Sequence, residues 1–159
     1  MESLHDRKGP LALDIVIVRD NKKEFLDLLL LANEQEDMID KYLDRGTLFA
    51  LYDSNLKSIC VVTEEGSDIF EIQSLATYPQ FQKKGYGRCL VDHVCNYYKG
   101  KGRTMIVGTG DSPTIVPFYE KSGFVFSHRR ENYFLEYYNK PIFEAGVQLR
   151  DKVYLKRGL

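Results

Sequence analysis

The sequence predicts a mixed α/β layer with the element order βααβββαβαββ, about seven strands and about four helices in one domain spanning residues 1–159. Three observations carry this. Short β-branched runs alternate with segments of helical period, Gly, Asn, Asp and Pro separate them, and 43% hydrophobic with 28% charged residues is the balance of a globular chain. A chain of 159 residues can bury one substantial core but is short for two ordinary domains.

Leu13-Asp14-Ile15-Val16-Ile17-Val18 opens as an alternating strand that becomes continuously apolar. Asp20 is the expected cap of a helix reaching about Asn33, with Phe25, Leu28, Leu29 and Ala32 on one face. Asp37 starts a second helix, since Met38, Ile39, Tyr42 and Leu43 recur at helical spacing before Gly46. Thr47 to Tyr52 and Ser58 to Thr63 form a hairpin about Asp53-Ser54-Asn55. Gly66-Ser67-Asp68 turns into a strand from Ile69 to Ala76, and Pro79 ends it because it cannot donate to a ladder.

A helix from about Gly85 to Lys99 follows, with Leu90, Val91, Val94, Cys95 and Tyr98 as its buried stripe. Thr104 to Val107 is a strand. With Thr114 as N-cap, Pro117 falls in the first turn of a short helix, where its missing N–H costs nothing, and Gly123 ends that helix. Phe124 to His128, extended toward Phe134, and Leu149 to Lys156 close the fold, separated by a long loop from Glu136 to Val147 of the length that is usually functional.

Composition excludes several classes. The net charge of −1 offers no general attraction for nucleic acid or an anionic membrane. Met1 to Pro10 lacks the apolar stretch of a signal peptide, and Phe25 to Ala32 falls far short of a membrane span, so a soluble cytoplasmic protein is expected. Cys60, Cys89 and Cys95 are odd in number and lack CxxC spacing, which argues against a disulfide framework and a zinc site. His5, His93 and His128 have no metal-site spacing and read as surface or boundary residues, so no metal is expected.

The sharpest local feature is Gln82-Lys83-Lys84-Gly85-Tyr86-Gly87, between a strand and a helix. A helix start presents N–H groups without partners and partial positive charge, so it favours phosphate oxygens. Gly85 and Gly87 allow close backbone approach, and Lys83, Lys84 and Arg88 add positive charge. Alone the pattern also fits a solvated basic turn. Its surroundings narrow the choice: Glu71-Ile72-Gln73-Ser74-Leu75-Ala76-Thr77 precedes it, and Phe118-Tyr119-Glu120-Lys121-Ser122-Gly123-Phe124 follows one strand later.

With these motifs the chain resembles the GNAT N-acetyltransferase superfamily, whose core is an acidic residue and LAV-like segment on the fourth strand, then Q/R-x-x-G-x-G/A, then an FYEK-x-GF helix. The resemblance covers about Asp14 to Phe126 in element order, its specific motifs lie within Glu71 to Phe124, and they identify the donor rather than the acceptor. It implies a mostly antiparallel central sheet and acetyl-CoA as acyl donor. It also implies that the Leu75, Ala76 and Thr77 backbone pairs with pantetheine amides beside a splay between the fourth and fifth strands, a form of β-augmentation. A backbone N–H near Ala76 or Thr77 would stabilise the thioester oxyanion. Gln82 to Arg88 would hold the pyrophosphate. Ser112 departs from the pattern, standing where the family often has an Asn that contacts pantetheine.

A thioester is already activated, so acyl transfer to an amine needs neither metal nor covalent nucleophile. Positioning two reactants contributes up to ~7–11 kcal/mol in favourable models, and two protons remain to be managed. By resemblance Glu71 is the base, acting directly or through water, although a solvent-facing glutamate on a half-exposed strand is the plain alternative. By resemblance Tyr119 faces the cofactor sulfur as the acid, although Ile115, Phe118, Tyr119 and Ser122 also share a core-like helix face.

The acceptor site is implied in the first two helices and the loop before the last strand. Glu34, Glu36, Asp37 and Asp40 in the former, and Tyr133, Glu136, Tyr137, Tyr138 and Glu144 in the latter, would suit a cationic amine, or are solvated surface. A non-catalytic acyl-CoA-binding module on the same fold is the alternative function. Gly108-Thr109-Gly110 has the look of a dinucleotide loop, but Pro113 stands where its third glycine should. Lys99-Gly100-Lys101-Gly102-Arg103 reads as a helix end rather than a nucleic-acid patch. An exposed final strand would offer an edge for a homodimer.

Overall fold

The computed structural model describes residues 13–159, so His5 and the N-terminal segment through Pro10 lie outside the described residues. Seven strands pair in the order β1-β2-β3-β4-β5-β9-β6, and a two-stranded β7-β8 hairpin stands apart. The chain divides into two compact units, with β4 (Ile69–Thr77) contributing its first four residues to one and its last five to the other.

The first unit comprises the described residues up to Thr63 together with Gln73–Tyr97. β1 (Asp14–Val18) pairs antiparallel with β2 (Thr47–Asp53), which turns into β3 (Asn55–Glu64). That turn is tighter than expected: the strands run on to Asp53 and from Asn55, and Ser54 alone makes the corner with φ of 67°. Asp20 does not cap the first helix. The chain enters it through a left-handed Asn21 and a 3-10 turn, Lys22–Phe25, and α1 spans only Leu26–Ala32. Asp27 instead accepts the Leu28 N–H at 2.7 Å.

α2 (Glu36–Asp40) ends where Lys22 Nζ donates to the carbonyls of Leu43 and Gly46 at 3.0 and 2.6 Å. The inward stripe is as expected for Phe25, Leu28 and Leu29, while Ala32 is exposed. These pack with Ile39, Leu48, Ala50, Ile59 and Val61. Each fully buried leucine or isoleucine contributes about 1.5–3 kcal/mol. α3 (Tyr86–Tyr98) buries Leu90, Val91, Val94, Cys95 and Tyr98, the stripe that its period predicts.

The second unit comprises Glu64–Ile72 and Tyr98–Leu159. β5 (Thr104–Gly110) runs parallel to the start of β4, through α4 (Ile115–Lys121) to β6 (Val125–Arg130), then α5 (Tyr133–Tyr137), β7 (Phe143–Glu144), β8 (Val147–Gln148) and β9 (Lys152–Gly158). β9 pairs with β5 along its whole length and with β6 on its other side. The final strand is therefore no free edge: β6 takes that place, with Val125 and Phe126 exposed.

β6 stops at Arg130 rather than running toward Phe134, and β9 starts at Lys152 rather than Leu149. The expected long loop is largely structured, since α5 reaches Tyr137 and β7 and β8 close about Ala145 and Gly146, both at positive φ. Lys101 N–H donates to Tyr98 O at 2.9 Å, so the Lys99–Arg103 run does end a helix.

Candidate active site

β4 pairs with β5 over Ile69–Ile72 alone, within the second unit, and its last five residues, Gln73–Thr77, belong to the first. Leu75, Ala76 and Thr77 follow. The Ser58 hydroxyl donates to Ala76 O at 2.7 Å and meets Thr77 Oγ1 at 2.9 Å, which fixes this stretch from the β3 side. A 3-10 turn, Pro79–Phe81, then leads to Gln82, whose side-chain amide donates back to Thr77 O at 3.2 Å.

Lys83 and Gly85 sit at φ of 62° and 90°, and Gly85 O accepts the Cys89 N–H at 3.0 Å as α3 begins. The left-handed backbone at Gly85 is one that a side chain would strain. Gln82, Lys83, Lys84, Gly85 and Arg88 are exposed, with Tyr86 and Gly87 half-buried. This accessible turn at a helix start, with three cations on it, fits the pyrophosphate of a CoA molecule. Tyr86 is held by donation to Asp53 Oδ2 at 2.6 Å, and that bond together with burial pushes its phenol up to about 12.

In the second unit Glu71 is only 8% exposed, so the solvent-facing alternative does not hold. Tyr119 is 5% exposed, with its ring edge-on to Phe118 and Phe124 at 5.0 and 5.5 Å. Thr114 occupies the N-cap position of α4, but the capping oxygen belongs to Ser112. Its hydroxyl accepts the N–H groups of Thr114 and Ile115 at 3.1 and 3.3 Å. Ser112 is thus committed to the helix start and is 2% exposed.

Glu71 shares a sheet face with Lys152 and Tyr154. Burial, and then the charge of Glu71, push the Tyr154 phenol up to about 12. Burial lowers the Lys152 ammonium pKa below its ordinary value, Glu71 opposes that shift, and Arg130 adds to it. Tyr133 is raised chiefly by burial.

A family model described as an acetyltransferase (GNAT) domain matches residues 44–126. The uncharacterized N-acetyltransferase YvbK of Bacillus subtilis is 34% identical over 146 residues, which span 90% of this chain and 94% of that one. Among solved structures, a GNAT family acetyltransferase from Elizabethkingia anophelis with acetyl-CoA bound superposes with a TM-score of 0.87 at 31% identity, covering 92% of this chain and 98% of its own. A Bacillus subtilis acetyltransferase in complex with CoA gives 0.84 at 34%, covering 92% and 99%. The chain belongs to the GNAT acetyltransferase family.

The part of this GNAT chain that the family model matches holds the donor motifs, whereas Arg130, Tyr133, Lys152 and Tyr154 lie beyond it. Sequence reasoning missed Lys152, Tyr154, Arg130 and the place of His128. The signal was there in Lys152-Val153-Tyr154-Leu155, where buried Val153 and Leu155 alternate with a polar face. His128 is exposed, as expected of a surface histidine, and its ring stacks on Tyr154 with centroids 4.4 Å apart.

Gly108 and Gly110 lie inside β5 and form no dinucleotide loop: a Cβ at Gly108 would meet Lys152 and Tyr154, and one at Gly110 would meet Leu149. The acids of α2 are answered by Lys23, which lies 2.5 Å from Glu36 and 2.7 Å from Asp40. Among the described residues no group of three His, Cys, Asp or Glu could hold a metal, and no helix is long and apolar enough to cross a membrane.

Proposed function

We propose that this GNAT chain acts as one catalytic domain that transfers an acetyl group from acetyl-CoA to a primary amine of a small molecule or peptide, by direct attack in a ternary complex. The observation that carries the donor is the accessible Gln82–Arg88 turn opening α3 behind a β4 that has left its β5 ladder. The acetyl-CoA and CoA held by the two similar structures support it. When bound, acetyl-CoA supplies an acyl group already activated as a thioester.

Leu75, Ala76 and Thr77 offer main-chain groups to the pantetheine amides, and an N–H of Ala76 or Thr77 faces the acyl oxygen. Glu71 takes one proton from the ammonium before the free amine attacks, and the second amine proton, released as the tetrahedral intermediate collapses, replaces the one that Tyr119 gives up. Tyr119 gives a proton to the sulfur as the C–S bond breaks, so the products are an amide and a thiol. Cys60 and Cys89 are poorly suited to covalent catalysis, and Cys95 is buried. Burial raises the Cys60 and Cys89 pKa values, which keeps both groups protonated at neutral pH. Three free cysteines fit a cytoplasmic enzyme, and a homodimer would form along the β6 edge.

Calorimetry with acetyl-CoA, followed by thiol release against amino acids, polyamines, aminoglycosides and peptide N-termini, tests the proposal. Micromolar binding with turnover on one amine class is expected. Binding without any turnover would support a non-catalytic module instead, and no binding would remove the donor assignment.

A further inference from the structure

Strand register places beside Glu71, the proposed base, a set of charged and aromatic side chains to which acetyl transfer assigns no role. Glu71 is opposite Ile106 on β5, and Gly108, two residues on, is opposite Tyr154 of β9. Gly110 is opposite Lys152, and on the far side of β9, His128 and Arg130 are opposite Tyr154 and Lys152. Residues opposite one another in a ladder share a face. Glu71, Gly108, Tyr154, Lys152, His128 and Arg130 therefore look to one side of the second unit.

The glycine is what lets the face assemble. An added Cβ at Gly108 would stand 2.3 Å from Lys152 Cε and 2.8 Å from Tyr154 Cε1. Both side chains lean from β9 across β5, in the direction of β4 and Glu71. Lys152 Nζ lies 4.5 Å from the Tyr133 ring centre and 5.1 Å from that of Tyr154. The Arg130 guanidinium lies over Tyr133 and Tyr137 at 5.5 and 4.7 Å and donates to the Tyr137 hydroxyl.

Two cations directly opposite each other across a ladder repel, and this arrangement is destabilising unless an anion answers it. Among the described residues no carboxylate comes within 4 Å of either. Rings surround them instead, and these soften the charge without neutralising it. Glu71 and Glu65 act on Lys152 at longer range. The face thus has an acidic end at Glu71 and a cationic end at Lys152 and Arg130.

We propose that this face is the acceptor site and that it selects an amine whose molecule also carries a carboxylate, an amino acid or amino carboxylate, with the carboxylate held by Lys152 and Arg130 and the amine directed to Glu71. The assignment rests on the acetyltransferase reading and names its substrate class. A polyamine gains at Glu71 but meets two like charges at the other end, whereas a zwitterion matches both ends. Loss of the carboxylate charge leaves the half-buried Lys152 and the exposed Arg130 without their partner, which discriminates by about 10–100-fold.

The test is thiol release with acetyl-CoA and a panel of α- and ω-amino carboxylates, each beside its methyl ester, with spermidine as the polycation. The expected result is a kcat/KM at least ~10-fold higher for the best acid than for its ester or for spermidine. Lys152→Met and Arg130→Met should each bring the acid-to-ester ratio toward one, and Lys152→Arg should restore part of it. Arg130 is exposed, so its variant tests the idea even if Lys152→Met folds poorly. Esters or spermidine used as well as the acids, or a ratio unmoved in both methionine variants, would overturn the proposal while leaving the transferase intact. If acetyl-CoA binds and no amine turns over, the transferase reading fails and calorimetry decides the rest. Amino carboxylate binding that is lost in Arg130→Met would support the anion site, and no binding would overturn it.

Discussion

Glu71 shows why a residue-scale reading of sequence stops short. Alternation along Ile69–Thr77 assigns its side chain to a face, but whether that face is wet depends on residues far along the chain, Tyr154 and Lys152 among them. Burial makes it a stronger candidate for proton transfer than a surface glutamate would be. Removing the proposed base as Glu71→Gln should lower kcat by about 10²–10⁴-fold, with acetyl-CoA affinity by calorimetry little changed. Tyr119→Phe should lower kcat likewise and leave CoA affinity close to its starting value, because the ring contacts with Phe118 and Phe124 survive. Unchanged turnover in either variant would remove that residue from the proton inventory. The burial and ring packing of Tyr119 bear out its core-like reading, and its proposed role as acid rests on the variant.

Most elements of seven residues or more were legible because periodicity accumulates over their length, although α1 starts at Leu26 rather than just after Asp20. β2, β3, β4, α3 and α4 fall within a few residues of their expected bounds. The five-residue α5 and the two-residue β7 and β8 were not, because no apolar period marks them, whereas the five-residue β1 and α2 carried one. What holds α5 is a specific contact. Asp151 Oδ1 accepts the Asn132 N–H at 2.9 Å, and its Oδ2 accepts from Arg129 at 2.8 Å. The Asn132 bond foremost, then Arg129, holds the Asp151 carboxyl below the usual 3.8.

A depressed folded pKa gives stability that is fully present above the unfolded value and is lost as pH falls through the folded one. Amide exchange over residues 132–138 should therefore stay slow from neutrality down to about pH 4, the region of the unfolded carboxyl, and quicken below it. In Asp151→Asn it should be faster at neutral pH by an amount on the order of 1 kcal/mol, since solvent screens the pair, and should lack that acid step. Identical exchange in both proteins would remove Asp151 as the anchor of α5.

For the whole molecule, strand order was the least legible property. The pairing of Thr104 with Gly158 joins residues far apart in sequence, and no local signal announces that β9 enters between β5 and β6. The same insertion brings Lys152 and Tyr154 onto the face of Glu71, so topology assembles the candidate acceptor site. Donor binding should register in the stability of the whole chain. Acetyl-CoA at 100 times its Kd should stabilise the folded state by about 2.7 kcal/mol and raise Tm by several degrees. A Tm indifferent to saturating acetyl-CoA would contradict the donor assignment.

The tyrosines around Lys152 and Arg130 have a spectroscopic consequence. The chain contains eleven tyrosines and no tryptophan, so no indole drains their excitation or masks their emission. Tyr133, Tyr137 and Tyr154 sit against the two cations, and Tyr133 and Tyr137 are only 4.8 Å apart between ring centres. A carboxylate entering there changes the local field on these phenols, so unlabelled protein carries its own optical gauge of acceptor occupancy, readable by intrinsic fluorescence before any acetyl group has moved.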